Sequence, residues 1–478
     1  MRPFELLILI TTVISAVNLV FLKQKKLDFA LPAASVLFCI LSLIFEGYRL
    51  PMLPAYLLAL TLLLIGVIRH AAGIHSGKKI FKVTGIFLLV LSLAVSVAFP
   101  ALFPVAKLPA PDGEYSVGTM NMSFTDPSRT GVFTSSDQYR EIAVRIWYPA
   151  GDIKDKKTAR FFNNREMSEY LAQSMQMPNL FGQIALVKTH SYIDAGLSDR
   201  QNKYPVLLFS GGYLGFSGQN TVLMESLASH GYIVFAISHP YEDFASEFPG
   251  GKVVRFDTRQ VNDLQNELVG ISKEYPGDTS GADFEKYQVL HAEISDKSVH
   301  IWSDDIKFIA DQIDGLNNGQ IESRFENKLD TSAMGVFGHS FGGAAAGQAC
   351  LEDGRFKGFI NMDGAPFGES VHTVIKQPFM IIQGDAHKNF IEAGYDPRQT
   401  NYIELTVNGA RHLDFTDFTI LLPSLKYLGA LGATGGDYQE EILRNYVTSF
   451  FDKYLKGANE PLLEEGLHKY PEVTVELK

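Results

Sequence analysis

The chain has 478 residues, a net charge of −11 and hydrophobic side chains at 46% of positions, room for two or three domains. Its charge is split: residues 1–106 carry nine Lys/Arg against three Asp/Glu, whereas the remainder carries 33 against 50. That acidic remainder argues against nucleic-acid binding, which demands a basic face, and against adhesion to anionic lipid through charge alone.

Four apolar runs come first, at 6–22, 29–45, 53–68 and 83–105. Each approaches the ~20 residues an α-helix needs to cross a bilayer core. A secretory signal is the alternative for the first run, which follows Arg2, but it lacks a small-residue cleavage site and three similar runs follow. The loops after the first and third runs carry Lys23, Lys25, Lys26 and then Arg69, Lys78, Lys79, Lys82, while the second loop offsets Arg49 with Glu46. Basic loops stay cytoplasmic. Four spans therefore predict a multi-pass cell-membrane protein whose N-terminus and residues 107–478 lie outside the cytoplasm. Asn18 is the strongest polar group inside the runs, and a transport path needs buried charge. The runs read as an anchor. Cys39 lies in one of them and Cys350 far away, so a disulfide is not expected, and two cysteines make no zinc or redox pattern.

After Pro109 and Pro111, residues 107–478 read as one domain in which strand-like runs alternate with helical patterns. Strands are expected at 142–148, 204–210, 232–238, 332–337, 356–362, 378–383 and 402–407. Helices are expected at 221–230, 299–316, 344–351 and 438–455. This alternation predicts an α/β fold with a mainly parallel sheet covered on both faces, whose chemistry sits at the carboxyl ends of its strands. Residues 161–198 are rich in apolar side chains, among them Met167, Leu171, Met175, Met177, Phe181 and Leu186. They fit an acyl pocket, a lipid contact or ordinary core equally well.

Gly338-His339-Ser340-Phe341-Gly342-Gly343 stands between the 332–337 strand and the 344–351 helix. A serine on such a turn needs glycine neighbours for backbone room, and its hydroxyl then stands clear of the sheet. A serine hydroxyl needs a base to take its proton, and the base needs an acid to hold its tautomer. In a doubly wound hydrolase the chain order is serine, acid, histidine. His412 follows the last predicted strand and fits that order; His387 comes too early, and His339 in the turn points away from the serine. Two acids compete. Asp363 and Asp385 each follow a predicted strand, and position alone slightly favours Asp385. The oxyanion of a tetrahedral intermediate needs waiting amides. The Phe341 amide is one, and the loop 211–215 offers that of Tyr213. No metal-ligand spacing or phosphate loop accompanies these residues, and the reaction needs no cofactor.

Taken together, Phe209-Ser210-Gly211-Gly212, the stretch 227–234 (LASHGYIV), Gly338–Gly343, Asn361-Met362-Asp363 and the stretch 409–418 (GARHLDFTDF) resemble the plasma-type platelet-activating-factor acetylhydrolase family, related to dienelactone hydrolases. The resemblance spans about 110 to 455 and implies an α/β-hydrolase fold acting on ester bonds without calcium, often in phospholipids with a short acyl chain. It also implies that the acid follows the earlier strand, which selects Asp363 and leaves Asp385 as runner-up. One departure stands out: the family commonly has Ser-His-Gly where this chain has Ser210-Gly211-Gly212. The expectation is a membrane-anchored serine ester hydrolase on lipid or small esters; the alternatives are a non-catalytic membrane sensor on a hydrolase frame and, more remotely, a peptidase.

Overall fold

The four apolar runs fold as helices long and apolar enough to cross a membrane, spanning Pro3–Leu22, Leu27–Glu46, Leu50–Ala71 and Val83–Leu102. Their regular α-helical parts are α1 (Pro3–Val17), α2 (Leu27–Leu41), α3 (Leu53–Ala72) and α4 (Lys79–Leu102). This computed structural model describes residues 1–22, 24–72, 79–135, 137–274, 289–387, 391, 394–464 and 469–478. Glu5 and Arg49 lie just outside the apolar runs yet are fully buried, paired at 2.6 Å. Arg49 also donates to the Phe103 carbonyl at 2.5 Å, and Arg2 donates to the carbonyls of Glu46 and Gly47. A buried charge is tolerated only when paired and hydrogen-bonded. These contacts gather the N-terminus, the turn after α2 and the end of α4 at one end of the bundle. At the other end Asn18 donates to Asp28 at 2.7 Å and Arg69 to the Leu19 carbonyl at 3.5 Å.

The chain divides into two compact units, residues 1–106 with 176–187, and residues 107–175 with 188–478. The Met- and Phe-containing segment is thereby split. Met167 and Leu171 are core of the second unit, while Phe181 and Ile184 are buried residues of the first. In that first unit Leu186 lies 3.3 Å from where a Cβ on Gly47 would stand.

The second unit holds strands β1 (Ser116–Thr130), β2 (Tyr139–Ala150), β3 (Thr158–Arg160), β4 (Lys188–Ile193), β5 (Tyr204–Ser210), β6 (Ile233–Ile237), β7 (Ala245–Glu247), β8 (Val253–Arg255), β9 (Leu329–His339), β10 (Phe356–Met362), β11 (Phe379–Gly384), β12 (Tyr402–Val407) and β13 (Val473–Leu477). Its helices are α5 (Glu166–Ser174), α6 (Thr221–Ser229), α7 (Thr258–Glu274), α8 (Glu293–Asn317), α9 (Phe341–Glu352), α10 (Phe418–Leu421) and α11 (Asp437–Lys456). Among the described residues eleven strands form one sheet in the order β13-β12-β11-β10-β9-β5-β6-β2-β1-β4-β3. From β12 to β6 every neighbouring pair is parallel, and β2 and β13 flank that block antiparallel.

Successive strand residues point to opposite faces, so a doubly covered sheet must be apolar at every position. In β5, Val206 and Leu208 pack with α8 residues Trp302, Ile306 and Ile309, whereas Leu207 and Phe209 pack with Leu223 of α6 and Phe451 of α11. The central strands are thereby fixed in register, and their carboxyl ends open on one edge of the layers.

Phe359 on β10 is fully buried, with its ring 4.6 Å from that of Phe379. Truncation to alanine leaves a cavity, and Phe359→Ala is expected to cost about 3–5 kcal/mol. The two tryptophans, Trp147 and Trp302, are both buried in this unit, so the midpoint of their fluorescence in denaturant reports its unfolding. An unshifted midpoint would contradict this packing.

Candidate active site

Ser340 joins β9 to α9 with φ 55° and ψ −127°, a conformation that disfavours any side chain by about 1–3 kcal/mol. Its neighbours hold it there. The Ser340 N–H donates to the Met362 carbonyl of β10 at 2.8 Å, and the Ser340 carbonyl accepts from Gly343 at 2.9 Å. The motif glycines are required by close approach, not by their own dihedral angles. A Cβ on Gly338 would stand 2.2 Å from the Gly342 carbonyl oxygen, and one on Gly342 would stand 2.1 Å from that of Gly211.

Because β10 lies beside β9 in the sheet, the residue leaving β10 emerges next to the serine. That residue is Asp363, with φ 56° and its N–H on the Ile382 carbonyl at 2.7 Å. Its buried carboxylate accepts the Gly384 N–H at 3.0 Å on one oxygen and faces His412 Nδ1 at 2.7 Å on the other. His412 opens a short 3₁₀ turn, His412–Phe415, and its Nε2 is 2.9 Å from Ser340 Oγ. A carboxylate can only accept, so Nδ1 carries the proton and the Nε2 lone pair faces the serine hydroxyl. Asp385 leaves β11, one strand further from Ser340, and is exposed; its carboxylate accepts the Gly409 N–H at 3.0 Å in the turn leading to His412.

The loop after β5 passes close to Ser340: a Cβ on Gly212 would meet Ser340 Cβ at 3.2 Å. Leu214 takes φ 54° and its N–H is held by the Glu242 carbonyl at 2.9 Å. Neither the Phe341 nor the Tyr213 amide has a hydrogen-bond acceptor among the described residues. The Tyr213 ring stacks on Trp302 at 6.5 Å and meets the Phe341 edge at 6.1 Å, and Phe341 contacts Phe367 at 5.6 Å. These rings form an apolar wall in which burial, with Glu242 nearby, pushes the Tyr213 hydroxyl up and keeps it neutral.

Sequence reading gave no sign of a second Ser–His–Asp chain beneath this loop. Ser210 Oγ is 2.9 Å from His239 Nε2, and His239 Nδ1 is 2.9 Å from Asp305. All three side chains are fully buried. Asp305 is also paired with Arg140 at 2.6 Å and Arg129 at 2.9 Å; burial opposes its charge, but Arg140 and the His239 hydrogen bond hold its carboxyl below the usual range. Burial holds His239 neutral. With no exposed surface at Ser210, this array ties the ends of β5 and β6 together and cannot meet a substrate.

The sheet order and the turn at Ser340 define an α/β-hydrolase fold. Among solved structures it is similar to a ferulic acid esterase from Streptomyces cinnamoneus, with a TM-score of 0.61 and 25% identity over 78% of this chain and 99% of that one. Residues 101–460 match the family model for platelet-activating factor acetylhydrolase, isoform II, and the chain belongs to that family. It is 26% identical to a platelet-activating factor acetylhydrolase of Cavia porcellus over 74% of this chain and 79% of that protein. It is 25% identical to the one of Canis lupus familiaris over 70% and 74%. A probable 1-alkyl-2-acetylglycerophosphocholine esterase of Arthroderma benhamiae is 26% identical over 56% and 65%.

Close approach at the turn predicts a contrast between two glycines. Gly342→Ala forces backbone to shift and is expected to lose at least about 1–3 kcal/mol of stability. Gly354→Ala, whose Cβ would meet nothing within 4 Å, stays within about 0.5 kcal/mol. Equal denaturant midpoints for the two variants would refute the account.

Proposed function

We propose that this chain is a membrane-anchored serine esterase that cleaves lipid esters bearing a short acyl chain. The observation that carries the reading is the hydrogen-bonded chain from Asp363 through His412 to Ser340, with the amides of Phe341 and Tyr213, which have no acceptor among the described residues, in the adjoining turn and loop. Ser340 Oγ attacks the ester carbonyl as His412 Nε2 takes its proton, and Asp363 stabilises the imidazolium that forms. The amides of Phe341 and Tyr213 receive the negative charge of the tetrahedral intermediate. His412 then protonates the departing alcohol, leaving an acyl-Ser340. Water, activated by the same imidazole, releases the acid and restores the serine. Similarity to the probable 1-alkyl-2-acetylglycerophosphocholine esterase of Arthroderma benhamiae supports a glycerophospholipid with an acetyl or similarly short acyl group as substrate.

Full-length protein in detergent micelles tests this. Wild type is expected to hydrolyse p-nitrophenyl acetate and to be labelled covalently by a fluorophosphonate, both at Ser340. Ser340→Ala should abolish both, and Asp363→Asn should lower kcat by about 10³–10⁴-fold through the wrong imidazole tautomer. Asp385→Asn should leave it within severalfold. A folded wild type that neither labels nor turns over would sink the enzyme reading in favour of a sensor. A reversal of the two Asp variants would exchange their roles.

The same reading places the N-terminus and the hydrolase unit outside the cytoplasm. Its support is the gathering of Arg2, Glu46 and Phe103 at one end of the bundle, opposite the basic loops. Of those basic residues, Lys23 and Lys78 lie outside the described residues. Protease added to intact cells is expected to digest residues 107–478; digestion only after lysis would reverse the orientation.

A further inference from the structure

The turn that carries His412 is gripped by residues 219–222, at the start of α6. The Gln219 carbonyl accepts the Asp417 N–H at 2.9 Å, Asn220 Nδ2 donates to the Phe415 carbonyl at 2.8 Å, and the Asp417 carboxylate accepts the Val222 N–H at 3.2 Å. The Gln219 side chain, 3% exposed, reaches the opposite way. Its Oε1 is 3.0 Å from the Gly212 amide, and its Nε2 is 3.1 Å from both His339 Nδ1 and Asn220 Oδ1.

Every atom in this chain has one possible role. The Gly212 amide can only donate, so the Gln219 oxygen must face it and the NH₂ must face His339. His339 Nδ1 is then an acceptor, and a neutral imidazole carries its proton on Nε2. That nitrogen lies 3.0 Å from the His412 carbonyl, which accepts it. Burial, and His412 alongside, push His339 down to about 3, so the ring is neutral at working pH. His339 thus donates to the backbone of His412.

We propose that Gln219 is a positioning residue that locks the two halves of the catalytic apparatus to each other. One side-chain amide fixes the loop bearing Tyr213 and, through the tautomer of His339, the backbone of His412. The inference rests on the reading of Ser340, His412 and Asp363 given above. Gln219 touches no reacting atom, so its loss leaves substrate binding alone and disturbs alignment in the transition state.

The experiment compares wild type, Gln219→Met and Gln219→Glu, each full length in micelles, using p-nitrophenyl acetate across pH. Gln219→Met keeps the volume but neither accepts from Gly212 nor donates to His339. Its kcat is expected to fall about 10–100-fold, with KM within about threefold, as small misplacements of reacting groups do. Gln219→Glu keeps the acceptor for Gly212 but sets a carboxylate against His339 Nδ1; its charge opposes the burial that keeps the wild-type ring neutral, so His339 holds both protons and keeps its bond to the His412 carbonyl. The ionisable groups facing His339 are His412, with ring centroids 4.6 Å apart, and Asp363. The new carboxylate balances that cation, but the imidazolium is the nearer of the two charges to His412; it disfavours a second positive charge there, so the acid limb of the kcat/KM profile moves to lower pH. A purely structural residue would move neither kcat alone nor the limb. If Gln219→Met unfolds, the limb of Gln219→Glu still decides. Wild-type kcat with an unmoved limb, or a loss confined to KM, overturns the inference while Ser340-dependent turnover of wild type keeps the enzyme reading. Wild-type turnover independent of Ser340 overturns both.

Discussion

The backbone at Ser340 is the constraint on which the remainder of the hydrolase unit depends. A side chain with φ 55° between a strand and a helix persists only where surrounding contacts over-determine it. Those contacts come from three directions. The loop after β5 lies against Gly342, the end of β10 receives the Ser340 N–H, and Asn361 presses on Gly343, where a Cβ would stand 2.2 Å from its Oδ1. Asn361 also holds Gly364 through both backbone groups, at 3.0 Å and 2.7 Å, which fixes the turn bearing Asp363. Ser340 and Asp363 are thus placed by one set of contacts.

Two Ser–His–Asp chains in one domain show what distinguishes a candidate site from a buttress. Their hydrogen-bond lengths are nearly equal, from 2.7 to 2.9 Å. The difference lies in surroundings. His412 is 39% exposed and its serine neighbours amides that have no acceptor among the described residues, whereas Ser210, His239 and Asp305 are sealed and Asp305 is held by two arginines. A charge already neutralised by Arg140 and Arg129 has little left to offer a nascent imidazolium. The buried chain instead anchors the strand ends from which the Tyr213 loop departs.

Much of this architecture is legible locally. The runs at 204–210, 356–362 and 402–407 are strands with those bounds, because a doubly covered strand is mostly apolar and ends where polarity returns. β1, β13 and α7 escaped notice. Ser116–Thr130 alternates polar groups along an antiparallel partner of β2, Val473–Leu477 is a half-exposed edge, and α7 presents mostly charged and amide side chains. Such elements are stabilised by what they pair with, which local composition does not record. The same holds for Gln219 and His339, ordinary polar residues until the fold sets Gly212, His339 and His412 around one amide.

The sequence by itself determined the four apolar helices, the alternation that makes a mainly parallel sheet, and the chain order of serine, acids and histidine with glycines around the serine. These depend on periodicity and spacing, which are local. Which carboxylate meets His412 was decided by tertiary structure, because the order of strands in a sheet depends on crossovers between distant segments. β10 lies beside β9 and β11 lies one place beyond, so Asp363 reaches the imidazole while Asp385 braces the turn at Gly409.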